Sequence, residues 1–316
     1  MVGPDYATSG SNFYCLSGAV NGVGDSCRYM EITGNLGTAT TGYKLEDGTE
    51  AVIGPGHDGI TVSNLWVTGV HGVNETAVEI KSNNVTVDHS TISGNPSNPN
   101  SALRGWEGID VQASSVSLID NNIAGFAGGI WYHTEEGTDV TTGNYIHGMS
   151  CWDYSVNEPC GGPDSSPSTS DHSNPIADSS GPSDTTSSWL IQHNTVLCDL
   201  TGNASCSSDI SLFPDFGPQL NDHVTIDDNL LSGGAFLINN GGGDAYGSYG
   251  QSYVTTTNND ISTAYGANGG VFGLFYRYAA DGTGNVGTGD VQYGNYWDDG
   301  PYAGKSADHS EWYPGT

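Results

Sequence analysis

Basic side chains are nearly missing from this chain. Among 316 residues, 6 Lys and Arg stand against 36 Asp and Glu, a formal net charge of −30. Proteins hold phosphate backbones through Lys and Arg that displace counterions, so nucleic acid is excluded as a partner. Anionic membrane surfaces attract polybasic segments and are excluded on the same ground. Long hydrophobic runs are missing too, and nowhere does the chain approach the roughly 20 consecutive apolar residues of a spanning helix. Charged residues make up only 13%, too few to solvate the outer faces of a helical bundle. No cysteines stand in CxxC or CxxCH spacing, which removes the common zinc and haem patterns.

What the chain does have is glycine, 47 residues of it, with 17 Tyr, 7 Trp and 7 Phe. That aromatic content exceeds what disordered chains carry, so the composition describes an ordered, turn-rich, all-β protein. The six cysteines fall into local couples, Cys15 with Cys27, Cys151 with Cys160, and Cys198 with Cys206. Six cysteines allow fifteen connectivities, and locality favours this one without excluding the others. Disulfides imply an oxidising compartment, hence a secreted protein; scarce Lys and abundant Asp fit secretion or a high-salt habitat. The first residues show no charged n-region followed by an apolar h-region, the expectation for a chain whose export signal has been removed.

Internal repetition decides the architecture. A template, apolar-x-apolar-x-x-(Asn/Ser)-x-apolar, reads ITVSNLWV at 60–67, VTVDHSTI at 85–92, VSLIDNNI at 116–123 and DVTTGNYI at 139–146. It returns as WLIQHNTV at 189–196, VTIDDNLL at 224–231, VTTTNNDI at 254–261 and DVQYGNYW at 290–297. The sixth position runs Leu65, Ser90, Asn121, Asn144, Asn194, Asn229, Asn259, Asn295. Between templates lie further alternating segments: 77–81, 108–112, 129–133, 209–213, 235–239 and 271–275. Two strands per period joined by short corners suit a coil that returns on top of itself, with parallel pairing between successive turns. Parallel crossovers are right-handed, and asparagine amides stacked at one corner can bond along the stack. The reading is therefore a single-domain, right-handed parallel β-helix of about eight coils with an asparagine ladder and capped ends. A sandwich or propeller would instead need hairpins between sequential strands, and it supplies no reason for an asparagine column.

Residues 1–50 read as an N-terminal cap, 51–300 as the β-helix and 301–316 as a C-terminal tail or cap. The stretch 150–188, rich in Ser, Pro and Asp, reads as a long inserted loop held by Cys151 and Cys160. Long loops on rigid solenoids are where function gathers.

On these repeats the chain resembles the right-handed parallel β-helix superfamily of pectate-lyase-like secreted bacterial proteins, over roughly residues 55–300. Similar proteins carry a His-x-Asp-Gly-Ile element, and Asp171-His172-Ser173-Asn174-Pro175-Ile176 keeps its His and Ile. The polygalacturonase-like set of paired aspartates, Gly-His-Gly and Arg-Ile-Lys is absent. Alginate-lyase-like members carry a Lys and an Arg one coil apart, which Lys81 and Arg104 echo. The repeat register, however, places Gln112 over Lys81. The resemblance implies an extracellular, polysaccharide-active protein.

Stacking the alternating segments yields two outward columns. One runs Glu79, Asp110, Trp131, Ala177, Ser211; its neighbour runs Lys81, Gln112, His133, Ser179, Phe213. Glu79 and Asp110 then sit about 5 Å apart, close enough to raise one another's proton affinity or to share Ca²⁺. That separation also suits a retaining glycosidase pair. Trp131, with Trp106 and Tyr132 nearby, offers a flat platform for a sugar ring. His133 and His172 are candidate bases. Asp171, Asp178, Asp209 and Asp215 can supply further carboxylates. Lys81 and Arg104 are two of only six basic residues, and they read equally as salt-bridge partners or substrate contacts. The plainer alternatives make Glu79 and Asp110 solvated strand residues and Trp131 a surface aromatic covered by the 150–188 loop. His89, His193 and His223 fall at corners and read as structural. The Gly/Tyr run at 241–250 lacks the Lys and helix of a phosphate cradle.

Two functions fit. One is a glycan-cleaving enzyme, either a lyase using Lys81, Arg104 or His133 as base with Ca²⁺ at the acidic pair, or a hydrolase using two of Glu79, Asp110, Asp178 and Asp209. The strong negative field favours neutral glycans or a cation requirement. The other is a non-catalytic glycan-binding, adhesive or fibre-forming β-helix.

Overall fold

The computed structural model describes residues 5–6, 12–19, 27–37, 42–45, 47–68, 76–94, 105–133, 136–150, 173–178, 186–200, 206–212, 223–239, 253–266, 269–270, 273–276 and 289–308. They form a parallel β-helix. Three sheets of ten, ten and eight strands run along its length, and each strand pairs with its counterpart one coil away. The exception is Phe13–Ala19, which runs antiparallel to Cys27–Ile32. That second strand is already in parallel register with Glu50–Ile53, and Tyr43–Lys44 lies beneath Leu65–Thr68. Parallel stacking therefore begins before residue 51.

Each coil contributes three strands, not two, because the repeat template is itself two strands meeting at a corner. VTVDHSTI supplies Thr86–Asp88 and Thr91–Ser93. The break falls at the template's fifth residue, which has positive φ in every unit: Asn64, His89, Asp120, Gly143, His193, Asp228, Asn258 and Gly294. Asn, Asp, His and Gly are the residues that tolerate this left-handed geometry. His89 and His193 thus have backbone roles. His223 (φ 69°) turns the preceding corner, where it stacks on Tyr253 at 5.1 Å.

The left-handed residue turns the sixth side chain inward, and there the asparagines form a continuous ladder. Leu65 N–H donates to Ser90 Oγ, and Ser90 N–H to Asn121 Oδ1. From there, the backbone N–H and Nδ2 of each asparagine donate to Oδ1 of the next, at 2.8–3.0 Å, from Asn121 through Asn144, Asn194, Asn229 and Asn259 to Asn295. Each Nδ2 also donates to a main-chain carbonyl, as Asn194 does to Thr141 at 2.9 Å. Every asparagine-to-asparagine bond points toward the C-terminal end. The Asp308 carboxylate closes the series by accepting from Asn295 N–H and Nδ2 at 2.9 and 2.7 Å. A carboxylate only accepts, so it ends the ladder without stranding a donor.

The interior is filled by aliphatic stacks, one per sheet. Val67, Ile92, Ile123, Ile146, Val196, Leu231 and Ile261 occupy one register row, and Val62, Val87, Leu118, Thr141, Ile191 and Ile226 another. All are buried, each contributing roughly 1.5–3 kcal/mol of hydrophobic stabilisation per large side chain. The third row, Ile53, Ile80, Val111, Tyr132, Asp178 and Leu212, is interrupted by polar groups. Tyr132 Oη and Trp189 Nε1 both reach Thr141 Oγ1, at 3.0 and 3.1 Å. Buried Asp139 sits at the adjoining corner and accepts from Val116 N–H at 2.7 Å.

Cys198 and Cys206 form a disulfide with Cα atoms 5.9 Å apart. Cys15 is disulfide-bonded, while the Cys27 side chain and the Cys151–Cys160 couple lie outside the described residues.

Candidate functional site

The register places Glu79, Asp110, Trp131, Ala177 and Ser211 side by side across the sheet that carries the alternating segments. Gln112 follows Val111, which pairs with Ile80 and Tyr132, so it stands between Lys81 and His133. Strict alternation breaks at one point in this sheet. Gly108 and Ile109 both face inward: a side chain on Gly108 would meet Gly129 O at 2.6 Å and Ile123 Cγ2 at 2.7 Å, and Ile109 is fully buried. Two consecutive inward residues put Glu107 and Asp110 on the same outer face.

The break gathers a cluster that sequence reasoning missed. Thr76 Oγ1, one coil earlier, donates to Glu107 Oε2 at 3.2 Å. Gly128, one coil later, leaves room for the Trp131 indole, which would lie 3.0 Å from any Cβ there. His133 Nε2 stands 3.6 Å from Glu107 Oε1 and 3.5 Å from Asp110 Oδ1. Gln112 Nε2 donates to Asp110 Oδ2 at 2.6 Å and to Glu79 Oε1 at 3.3 Å, and Lys81 Nζ holds the same Glu79 oxygen at 2.7 Å. An amide donor therefore bridges Glu79 and Asp110. Asp110 Oδ1 is buried and accepts no hydrogen bond. The recurring Gly-Ile pairs at 108–109 and 129–130 were the sequence signal for the inward double step.

Glu107 and Asp110 are buried, while the His133 side chain keeps 35% of its surface and Lys81 36%. Burial, then the charge of Glu107, pushes the Asp110 carboxyl up to about 6, against the opposing pull of His133 and Gln112. Burial by itself would lower His133, but the neighbouring Glu107, Asp110 and Asp178 carboxylates outweigh it and hold the imidazole above its ordinary value. Glu107, Asp110 and His133 present ligand atoms all within 4.8 Å of one another, the one such group of three among the described residues.

Other expected site residues lie elsewhere. Tyr132 points into the helix and packs on Trp189 at 4.5 Å, so it is core, not a sugar platform. Trp131 is only 3% exposed; its indole lines the floor of the cluster, 6.0 Å from the His133 ring, and offers no open face. Asp209 occupies the inward position equivalent to Gly108. It is fully buried, and its Oδ1 accepts from Cys198 N–H at 3.1 Å. Burial holds its carboxyl well above the usual range, so it is no surface acid. Asp178 is buried in the interior row with Tyr132 and Leu212, and its charge raises His133. Arg104, Asp171, His172 and Asp215 lie outside the described residues, as does the side chain of Trp106.

No family model matches this chain, and no curated protein matches it. Three solved structures are similar at low identity. One is an alginate lyase from Paenibacillus sp. str. FPU-7 (12% identity, TM-score 0.40, 84% of this chain and 88% of that one). Another is the Dettilon tailspike protein (13%, 0.39, 82% and 56%), and the third is the catalytic domain of a GH87 α-1,3-glucanase (12%, 0.26, 81% and 57%).

Proposed function

We propose that the protein is a secreted glycan-cleaving enzyme whose reacting centre is the Glu107–Asp110–His133 cluster. The observation that carries this reading is the placing of two buried carboxylates behind one half-exposed imidazole on the outer face of the sheet. His133 is the group that meets substrate. Glu107 and Asp110 face its Nε2, orienting the ring so that Nδ1 exchanges protons with the glycan. Lys81 and Glu79 form the charged rim, and Lys81 supplies a local positive charge on an otherwise negative protein.

This geometry suits proton abstraction and elimination better than hydrolysis. Glycoside hydrolysis takes two carboxyl groups on opposite sides of a sugar, whereas here both lie behind the same histidine. A lyase needs one accessible base and a cation near the sugar's acidic group, which His133 and Lys81 provide. The test is a panel of neutral and uronic-acid glycans incubated with the purified protein. New ultraviolet absorbance from an unsaturated product, lost in His133→Ala, is the expected result. New reducing ends without that absorbance would replace the lyase by a hydrolase. Binding with neither signal would make the protein a glycan-binding module.

A further inference from the structure

We infer that Glu107, Asp110 and His133 form a binding site for one divalent transition-metal ion of the zinc class. Around a tetrahedral zinc, ligand atoms about 2.0–2.1 Å from the ion lie roughly 3.3 Å from one another. His133 Nε2 stands 3.5 Å from Asp110 Oδ1 and 3.6 Å from Glu107 Oε1. Both separations exceed the usual hydrogen-bond length of about 2.7–3.2 Å and come close to the edge of a coordination tetrahedron. Asp110 Oδ1, aimed at the imidazole, is a buried acceptor that receives no hydrogen bond. Its partner oxygen is fixed by Gln112 at 2.6 Å, and Glu107 is fixed through Oε2 by Thr76 at 3.2 Å. Asp110 is therefore held by one oxygen and leaves the other unbonded, and Glu107, held through Oε2, turns its Oε1 toward the same imidazole nitrogen.

The donor set selects the ion. Calcium and magnesium take oxygen ligands, whereas an imidazole beside two carboxylates suits zinc and its neighbours. Three protein ligands leave a fourth position toward the side where His133 is exposed. Resting on the glycan-cleaving reading, one consequence follows: a neutral imidazole that binds zinc through Nε2 carries its remaining proton on Nδ1 and cannot accept another there, so the loaded protein is the inactive form.

The experiment is calorimetric titration of ZnCl₂ into the full chain after EDTA treatment and dialysis, with CaCl₂ in parallel. One zinc per chain is expected, with binding weakened at least tenfold in both His133→Ala and Glu107→Gln. It should be unchanged in His89→Asn, which removes the exposed corner imidazole lying 3.5 and 3.6 Å from Asp88 and Asp120. Absence of a stoichiometric site, wild-type affinity retained in His133→Ala or Glu107→Gln, loss in His89→Asn, or a preference for calcium each overturns the site. Glutamine at 107 nearly preserves size and shape, so its effect reports ligation and not unfolding. If a glycan is cleaved and zinc leaves the rate unchanged, that consequence is wrong while the enzyme reading stands. If no glycan is cleaved, the enzyme reading falls and the titration alone decides the metal site.

Discussion

The asparagine ladder and the His133 cluster are both rows of polar side chains buried on a parallel stack, yet they are built on opposite accounting. In the ladder every amide donor meets an oxygen, every Oδ1 accepts from the coil before, and a carboxylate closes the end. In the cluster acceptors outnumber donors, one oxygen of Asp110 accepts nothing, and two carboxylates crowd one imidazole. Satisfied networks rigidify a fold, whereas unsatisfied ones cost stability and persist where they serve chemistry. The same solenoid thus separates a region that holds it together from a region held against its own electrostatics.

The largest effect that can break this contrast lies at His133. Replacing it with Ala should lower glycan cleavage by roughly 10²–10⁴-fold, the range for loss of a positioned base. The fold should remain intact with some loss of thermal stability, because the substitution takes the imidazole away from the buried Glu107 and Asp110 carboxylates. A variant that unfolds instead would make the cluster a structural element like the ladder.

Next in size is Asp139, beneath the site. Burial, followed by the charge of Asp178, raises its carboxyl to about 7 from 3.8, against the pull of the Val116 N–H. A carboxyl whose folded value is raised adds its full stability below the unfolded value and loses it as pH climbs through the folded one. Asp139→Asn should therefore match wild type near pH 4 and be more stable above pH 7, by as much as about 4 kcal/mol at 1.36 kcal/mol per unit. The amide keeps an oxygen for the Val116 N–H and removes the charge that Asp178 opposes. Denaturant melts at the two pH values check it, and equal differences at both would remove the buried charge from the account.

The ladder supplies the converse. Asn194→Ala leaves the Asn144 N–H without its acceptor and takes the Nδ2 donor away from Thr141 O and Asn229 Oδ1, the latter keeping only the backbone N–H of residue 194. Buried groups left unpaired cost about 1–3 kcal/mol each, so a loss of roughly 3 kcal/mol or more is expected by denaturant melting. Cleavage per folded molecule should stay unchanged, since the ladder runs along a different corner from the site.

How far the sequence discloses all this follows from where its alternation holds. The ladder is legible because one side-chain chemistry must recur at one point of every coil. The row from Glu79 through Asp110 to Trp131 is legible because period two holds over those residues. The break that recurs from Gly108-Ile109 to Asp209-Ile210 accounts for two misreadings together. Counted by strict alternation, Glu107 falls inside and Asp209 outside; the inward double step reverses both, bringing Glu107 into the cluster and sealing Asp209 into the core. Tyr132 and Asp178 obey the alternation and lie inside, so proximity in sequence to Trp131 and Ser179 was a poor guide to which face they share. The three-strand coil was hidden because a left-handed Asp, Asn or His at a corner looks like any polar residue in a strand.

The smallest expected effect sharpens the chemistry within the site. Lys81 meets Glu79 at 2.7 Å, but both side chains are substantially solvated, and exposed ion pairs contribute about 0–1 kcal/mol. Lys81→Met should therefore change stability by less than about 1 kcal/mol. Its effect on cleavage separates two roles. If Lys81 only adds positive charge near the sugar, raising salt in wild type should mimic part of the substitution, because rim charges are screened over about 10 Å at moderate ionic strength. The loss should then appear mainly in KM and stay within roughly tenfold. If Lys81 is itself the base, kcat falls by the larger factor predicted for His133, salt does not imitate it, and His133 becomes the positioning residue of a site whose reacting atom is Nζ.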